Sequence, residues 1–215
     1  MDVNIRRLKQ NATEEDIAAC VCCANDAFGF SDLPPEAKNF FCGEMSLMPY
    51  YHRWIIESGL AGGKVYVAET QQLGIIGSAV WFGPGEEWLG VFSHKEQMEA
   101  FDKFAKKAEG KIPGLPSWWF NCFFPKYKKL TDDSLGDSTV KLDSWHCLII
   151  GVLKAYQRAK IGSRLISIIM EEASRCEDAR NKRLTLEAGP VEFYKTLGFV
   201  VKVLKGKAHW DITLG

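Results

Sequence analysis

The stretch from Trp145 to Ser163 constrains this chain more than any other, joining an almost unbroken apolar run (Trp145 to Val152), a polar turn and the start of a helix. Apolar residues without alternation mark a strand covered on both faces, so helices must flank the sheet that contains it. The following helix is read over Ile161 to Cys176, where Ile161, Leu165, Ile168, Ile169 and Ala173 share one face. Arg183 to Ala188 reads as the next strand, and Gly189-Pro190 opens a short helix with Val191, Tyr194 and Leu197 on one side. Gly198 stops that helix, and Phe199 to Leu204 and His209 to Leu214 read as closing strands. Two strands joined through a helix lie parallel with a right-handed crossover. The turn after the first strand then sits at the carboxyl edge of the sheet, where such folds bind ligands.

The first half supplies antiparallel partners. Val3 to Leu8 reads as an opening edge strand, and Thr13 followed three residues later by Asp16 resembles a capping box for a helix running to about Phe28. Past Gly29 and Pro34-Pro35, the aromatic stretch Glu36 to Ser58 fits one or two helices interrupted at Pro49. Val65 to Glu69 and Ile75 to Phe82 form a hairpin around Gln71 and Gln72. The less regular segment from about Gly83 to Ser144 reads as an insertion between strands. It holds a charged helical piece near Lys95 to Ala108, a Pro/Gly turn, an aromatic block and a polar loop. With no internal repeat and no long polar linker, residues 1–215 are expected to form one domain.

Hydrophobic residues make up 47% of the 215, enough to bury a sizeable core and to exclude wholesale disorder. Twenty-seven Lys and Arg offset twenty-seven Asp and Glu, so no global field draws nucleic acid or an anionic membrane. Runs such as Cys147 to Leu153 fall far short of the roughly 18 to 20 apolar residues that span a bilayer. No signal-peptide pattern opens the chain, and a cytoplasmic protein is expected. Seven irregularly spaced cysteines make a poor disulfide framework, and Cys20, Cys22 and Cys23 lack partners at zinc-like spacing. Reduced structural thiols and no metal are expected.

The turn Gln157-Arg158-Ala159-Lys160-Ile161-Gly162-Ser163 carries the first chemistry. A strand running into a helix start presents unpaired amides at the positive end of the helix dipole, a setting for a phosphate or pyrophosphate, and Arg158 and Lys160 add charge. This turn resembles the acetyl-CoA-binding motif of the GNAT N-acetyltransferases, which reads Gln or Arg, two variable residues, Gly, one variable residue, then Gly or Ala. Gln157 fills the first slot and Gly162 the last, while Lys160 stands where the first glycine is expected. Lys160 is expected to be tolerated if its backbone angle is ordinary. Downstream, Phe193-Tyr194-Lys195-Thr196-Leu197-Gly198-Phe199 is similar to the family's late motif.

The resemblance implies an α/β fold with a mixed, mostly antiparallel sheet, a splayed central parallel pair and flanking helices. It also implies acetyl-CoA as co-substrate, with the pantetheine arm along backbone groups near Ile150 and Val152 and the pyrophosphate on the amides of Arg158, Ala159, Lys160, Ile161, Gly162 and Ser163. An amide near Ile149 or Ile150 would serve the developing oxyanion. An acceptor amine with a pKa of about 10 needs a base, and the departing thiolate needs a proton. Tyr194 matches the family tyrosine that gives that proton, and Glu187, at the carboxyl end of its strand, is the candidate base.

His146 titrates in the useful range but lies early on a core strand, where packing is the commoner role, and His146 and Cys147, as strand neighbours, cannot form a dyad. The aromatic run Pro116 to Pro125, ending near Tyr127, reads as an acceptor lid, as packing of the insertion, or as a homodimer contact. The expected function is acetyl transfer to a primary amine of a small molecule. Transfer to a protein N-terminus or lysine, and a non-catalytic CoA-binding sensor or scaffold, are the alternatives.

Overall fold

The computed structural model describes residues 2–29, 35–88, 94–187, 191–204 and 207–213. The expected start at Gly189-Pro190, the strand end at Ala188 and the last residue of the closing strand, Leu214, lie outside them.

The edge strand β1 (Asn4–Leu8) leads into α1 (Glu14–Phe28). Thr13 Oγ1 accepts from the Asp16 amide at 3.2 Å, and Glu14, Glu15 and Asp16 place negative charge on the first turn, where the helix dipole favours it. After α2 (Pro35–Phe40) comes α3 (Met48–Gly62). Pro49 opens α3 and does not interrupt it, because a first-turn residue needs no amide partner. β2 (Lys64–Thr70) and β3 (Gly74–Phe82) form the expected hairpin.

The segment read as irregular is largely helical: α4 (Lys95–Lys111), α5 (Leu115–Trp118), a π-helical turn (Trp119–Phe123) and α6 (Phe124–Leu135). Aromatic packing organises it. The Trp119 ring stacks on both Phe40 (4.8 Å, 7°) and Phe104 (4.9 Å, 15°), and its Nε1–H donates to the Phe40 carbonyl at 2.8 Å. Trp119 is therefore core, with no exposed surface, and the heart of the aromatic run packs the insertion onto α2, α3 and α4.

β4 (Trp145–Val152), α7 (Ile161–Ser174), β5 (Arg183–Glu187), α8 (Val191–Thr196), β6 (Val200–Leu204) and β7 (Lys207–Thr213) complete the chain. The seven-stranded sheet runs β1-β2-β3-β4-β5-β7-β6, antiparallel except where β4 meets β5. The final strand inserts between β5 and β6, a position that chain order alone does not reveal. One apolar cluster joins α7 and Tyr194 to one face of the sheet, a second joins α1 and α3 to the other, and a third is the aromatic bundle. Among the described residues no helix is long and apolar enough to cross a membrane. The cysteines are free, and burial pushes the thiols of Cys20 and Cys23 up to about 12.

Deleting the Trp119 ring leaves Phe40 and Phe104 without their shared partner. Trp119→Ala should cost about 3–5 kcal/mol in denaturant unfolding, and a loss below about 1 kcal/mol would return the ring to a peripheral role.

His52 on α3 is 3% exposed, and its Nδ1–H donates to Asn25 Oδ1 at 2.7 Å, the tautomer that the carbonyl oxygen requires. Burial lowers its pKa from 6.5 to about 4, so between those values the unfolded chain binds the extra proton. Stability contributed by neutral His52 is complete above 6.5 and is lost as pH falls toward 4. Unfolding free energies of the parent should therefore fall relative to His52→Gln by up to about 1.4 kcal/mol per pH unit in that window, whereas parallel curves would mean that the imidazole is solvated.

Candidate active site

The site begins where two strands part. β4 and β5 pair in parallel only through Trp145–Leu184, His146–Thr185 and Cys147–Leu186, after which β4 continues alone to Val152. The β3–β4 register shifts at the same place, with Val80 opposite Ile149 and Trp81 opposite Cys147, which leaves Leu148 as an extra residue. Such a bulge bends a strand and sharpens its twist. Its effect on the side chains is visible: Trp145, Cys147, Ile150 and Val152 belong to the α7 face, while Leu148 and Ile149 both turn toward α1 and α3.

Beyond the bulge, the Leu153 amide donates to the Ile76 carbonyl at 3.0 Å. Strand alternation therefore turns the backbone groups of Ile150 and Val152 away from β3, toward the opening. The Val152 carbonyl accepts from Gln157 Nε2 at 3.1 Å, so Gln157 fastens the turn to the strand end. Gly151 lets α1 lie against β4, since a Cβ there would meet Ala27 Cβ at 3.2 Å and Ala24 Cα at 3.3 Å.

The turn departs from the expectation of ordinary backbone angles. Lys160 has φ +61° and Arg158 φ +65°, both left-handed. Lys160 thus adopts a conformation that glycine takes without a steric penalty. Left-handed residues in such a turn aim successive amides into one concavity. Among the described residues, the amides of Arg158 through Ser163 donate to no carbonyl or side chain, and Lys160 gives α7 no side-chain cap. An anion with several oxygens, such as a pyrophosphate, fits that set of donors. Gly162 faces Phe193, whose Cζ would lie 3.3 Å from an added Cβ, so this glycine serves helix-to-helix packing as well as the turn.

The two candidate proton-transfer residues lie on opposite faces of the parted strands. Tyr194 is buried in the α7-face cluster with Cys147, between the rings of Phe193 (4.9 Å) and Phe199 (5.7 Å). Burial, then the neighbouring Cys147, raises its pKa and keeps the phenol protonated. Glu187 faces the other way, toward the insertion. Its Oε1 accepts from Tyr127 Oη at 2.7 Å and lies 3.6 Å from Lys141 Nζ, while Oε2 lies 3.2 Å from His146 Nε2. His146 Nδ1 is 3.0 Å from Thr185 Oγ1, which is 3.3 Å from Ser144 Oγ. His146 is packed as expected, yet it also touches Glu187. Burial pushes the Cys147 thiol up, which removes it as a nucleophile.

Sequence reading had not singled out Tyr127, Lys141, Thr185 and Ser144 as site residues. Tyr127 closes the aromatic run and Lys141 sits in a polar loop, and no spacing rule links either to Glu187. Among the described residues no group of three or more His, Cys, Asp or Glu could hold a metal ion.

The candidate site is thus a pair of strands that part beside a turn of unpaired amides, with a buried phenol on one face and a carboxylate on the other. Residues 130–201 match the family model of the acetyltransferase (GNAT) domain, across β4, the turn, α7, β5 and α8. Solved structures share the fold over the whole chain. PH1933 from Pyrococcus horikoshii has a TM-score of 0.55 at 14% identity, covering 100% of this chain and 99% of its own. A Corynebacterium glutamicum protein described as histone acetyltransferase HPA2 and related acetyltransferase has 0.51 at 16%, covering 98% and 94%. The PaiA N-acetyltransferase of Thermoplasma acidophilum, in complex with coenzyme A, has 0.51 at 13%, covering 100% of both chains. No curated protein matches the chain. The match to the acetyltransferase (GNAT) domain thus covers the third of the chain that carries the turn and the parted strands, and the chain as a whole shares the fold of these structures.

The left-handed Lys160 can be tested by stability alone. Lys160→Gly relieves about 1–2 kcal/mol of steric cost while adding up to about 1 kcal/mol of unfolded-state entropy, so it should be as stable as the parent or slightly more so. Lys160→Val, β-branched at positive φ, should be less stable than Lys160→Gly by at least about 1 kcal/mol. Equal unfolding midpoints for the two would mean that the residue is not held left-handed.

Proposed function

We propose that this single domain, residues 1–215, transfers the acetyl group of acetyl-CoA to a primary amine of a small molecule by direct attack. The observation that carries the reading is the coincidence, within one stretch of chain, of the β4–β5 parting and the uncapped turn Arg158–Ser163. The acceptor side favours a small amine over a protein lysine. Glu187, whose side chain is 26% exposed, is partly covered by Tyr127 and Lys141, a setting that suits a small amine better than an extended peptide. Buried free thiols suit the reducing cytoplasm.

Bound acetyl-CoA supplies an acetyl group activated as a thioester. The amides of Arg158, Ala159, Lys160, Ile161, Gly162 and Ser163 would hold its pyrophosphate, and the backbone of Ile150 and Val152 its pantetheine arm. Glu187 takes the proton that the acceptor ammonium must lose before its nitrogen forms the new C–N bond. A β4 amide near Ile149 or Ile150 donates to the carbonyl oxygen as charge develops there. As the C–S bond breaks, Tyr194 donates its hydroxyl proton to the departing sulfur from the other face of the sheet, and the second proton that the nitrogen sheds on becoming an amide returns through solvent to the phenolate. The two proton transfers are thereby separated by the sheet itself.

Calorimetric titration should give acetyl-CoA binding well above that of ATP, which offers phosphates without the pantetheine arm. A primary-amine panel should then give acetyl transfer, whereas binding without turnover on any amine or peptide would support a sensor instead. Tyr194→Phe should lower kcat by about 100-fold with little change in acetyl-CoA affinity. Unchanged turnover with chemistry rate-limiting would remove Tyr194 from the mechanism.

A further inference from the structure

The insertion does more than pack the aromatic bundle, because it delivers two polar side chains to Glu187. Tyr127 belongs to α6 and Lys141 to the loop that follows, fourteen positions on, and Lys141 Nζ donates to Tyr127 Oη at 2.9 Å. Tyr127 Oη in turn donates to Glu187 Oε1 at 2.7 Å. The same ammonium sits over the Tyr127 ring, 4.7 Å from its centroid, and 3.6 Å from the carboxylate. The Tyr127 ring is stacked parallel to Phe123 (6.2 Å, 5°), the last residue of the π-helical turn. Insertion residues thus occupy one carboxylate oxygen, and the other faces His146.

We propose that Tyr127 and Lys141 are positioning residues that hold the Glu187 carboxylate in the orientation from which it accepts the amine proton. The inference rests on the reading of Glu187 as base given above. A hydroxyl donor and a cation on Oε1 both favour the charged form of the carboxylate and fix its plane, with Oε2 turned to His146. Burial beside Glu187 raises the Tyr127 pKa, so the phenol remains a donor. Burial lowers the Lys141 pKa while Glu187 acts to raise it, and Asp132 and Lys128 act on Lys141 in opposite senses. Among the described residues, the groups facing Glu187 include Tyr127 from α6, Lys141 from its loop, His146 and Cys147 from β4, and Tyr51 from α3. Because the His146 imidazole is ionisable and touches Glu187 Oε2, any midpoint measured for Glu187 belongs to the pair.

The test is a carbon-13 NMR titration of the Glu187 side-chain carboxyl in the full chain, in parent, Tyr127→Phe, Lys141→Met and Lys141→Arg. Tyr127→Phe and Lys141→Met should each raise the carboxyl midpoint by about one pH unit, and Lys141→Arg should restore the parent value. A purely structural tie would lower the unfolding midpoint and leave the carboxyl titration where it was. Coincident carboxyl midpoints in folded variants would overturn the proposal, and should Tyr127→Phe not fold, the two lysine variants decide it. Turnover of Glu187→Gln on the amine panel separates the two failures. Undiminished turnover sinks the base reading, whereas unmoved carboxyl midpoints beside a lost Glu187→Gln activity sink only the positioning role.

Discussion

The rest of the structure depends on β4 separating from β5 after three paired residues, and on that separation being held open from both sides. The bulge at Leu148 bends β4, but a bend alone would leave a strand free to reclose on its neighbour. On one face, Leu148 and Ile149 are both drawn into the cluster of α1 and α3, and α1 approaches closely because residue 151 is glycine. Asp26 at the end of α1 accepts the Lys154 amide at 2.5 Å, which anchors the strand exit. On the other face, Ile150 and Val152 pack into the α7 cluster. Backbone groups turned into the opening lose sheet partners. Each such group costs about 1–3 kcal/mol if it is buried without a hydrogen bond, so the opening favours a ligand that offers amides in a strand-like array.

The same parting divides the chemistry. Inward-facing residues before the bulge alternate in the ordinary way, so Cys147 and Leu186 look toward α7 and Tyr194, while His146 and Thr185 look toward the insertion with Glu187. In the proposed mechanism a base and an acid on one face would compete for the same proton and the same space. Glu187 and Tyr194, set on opposite faces, would address different atoms. The aromatic bundle matters here as a foundation. Trp119, Phe40 and Phe104 stack to fix the path of α6, and α6 carries Tyr127 to the carboxylate.

Much of this is legible in the residues, and the parts that are not share a cause. The bilateral burial of β4 is written in its apolar run, the α7 face in its helical spacing, and the start of α1 in Thr13 and its acidic neighbours, because each is a local consequence of periodicity or capping. The insertion was harder to read because its order comes from rings that meet across distant segments, such as Trp119 with Phe40. The placement of β7 between β5 and β6 is a tertiary choice that no local pattern encodes. The partners of Glu187 come from α6, a loop and β4, up to 60 positions away along the chain, and become neighbours only when the insertion docks. At Lys160 the motif marked the position and the chemistry of lysine concealed the angle.

The turn at Lys160 is also where several local terms oppose folding. α1 begins with a side-chain cap and three acidic residues, whereas α7 begins with no cap and no acidic residue in its first turn. Arg158 and Lys160 instead put cations near the positive end of the α7 dipole, a placement that costs about 0.3–1 kcal/mol for each charge within reach. Both also hold left-handed angles, at a further cost of about 1–2 kcal/mol each. Gln157 fastened to Val152 and Gly162 set against Phe193 help hold the turn against these penalties. An anion reverses the sign of most of them: it fills the amide cradle, neutralises the cations and is favoured by the dipole. A helix start that is unfavourable alone and becomes favourable with a pyrophosphate supports the proposal that this turn anchors acetyl-CoA.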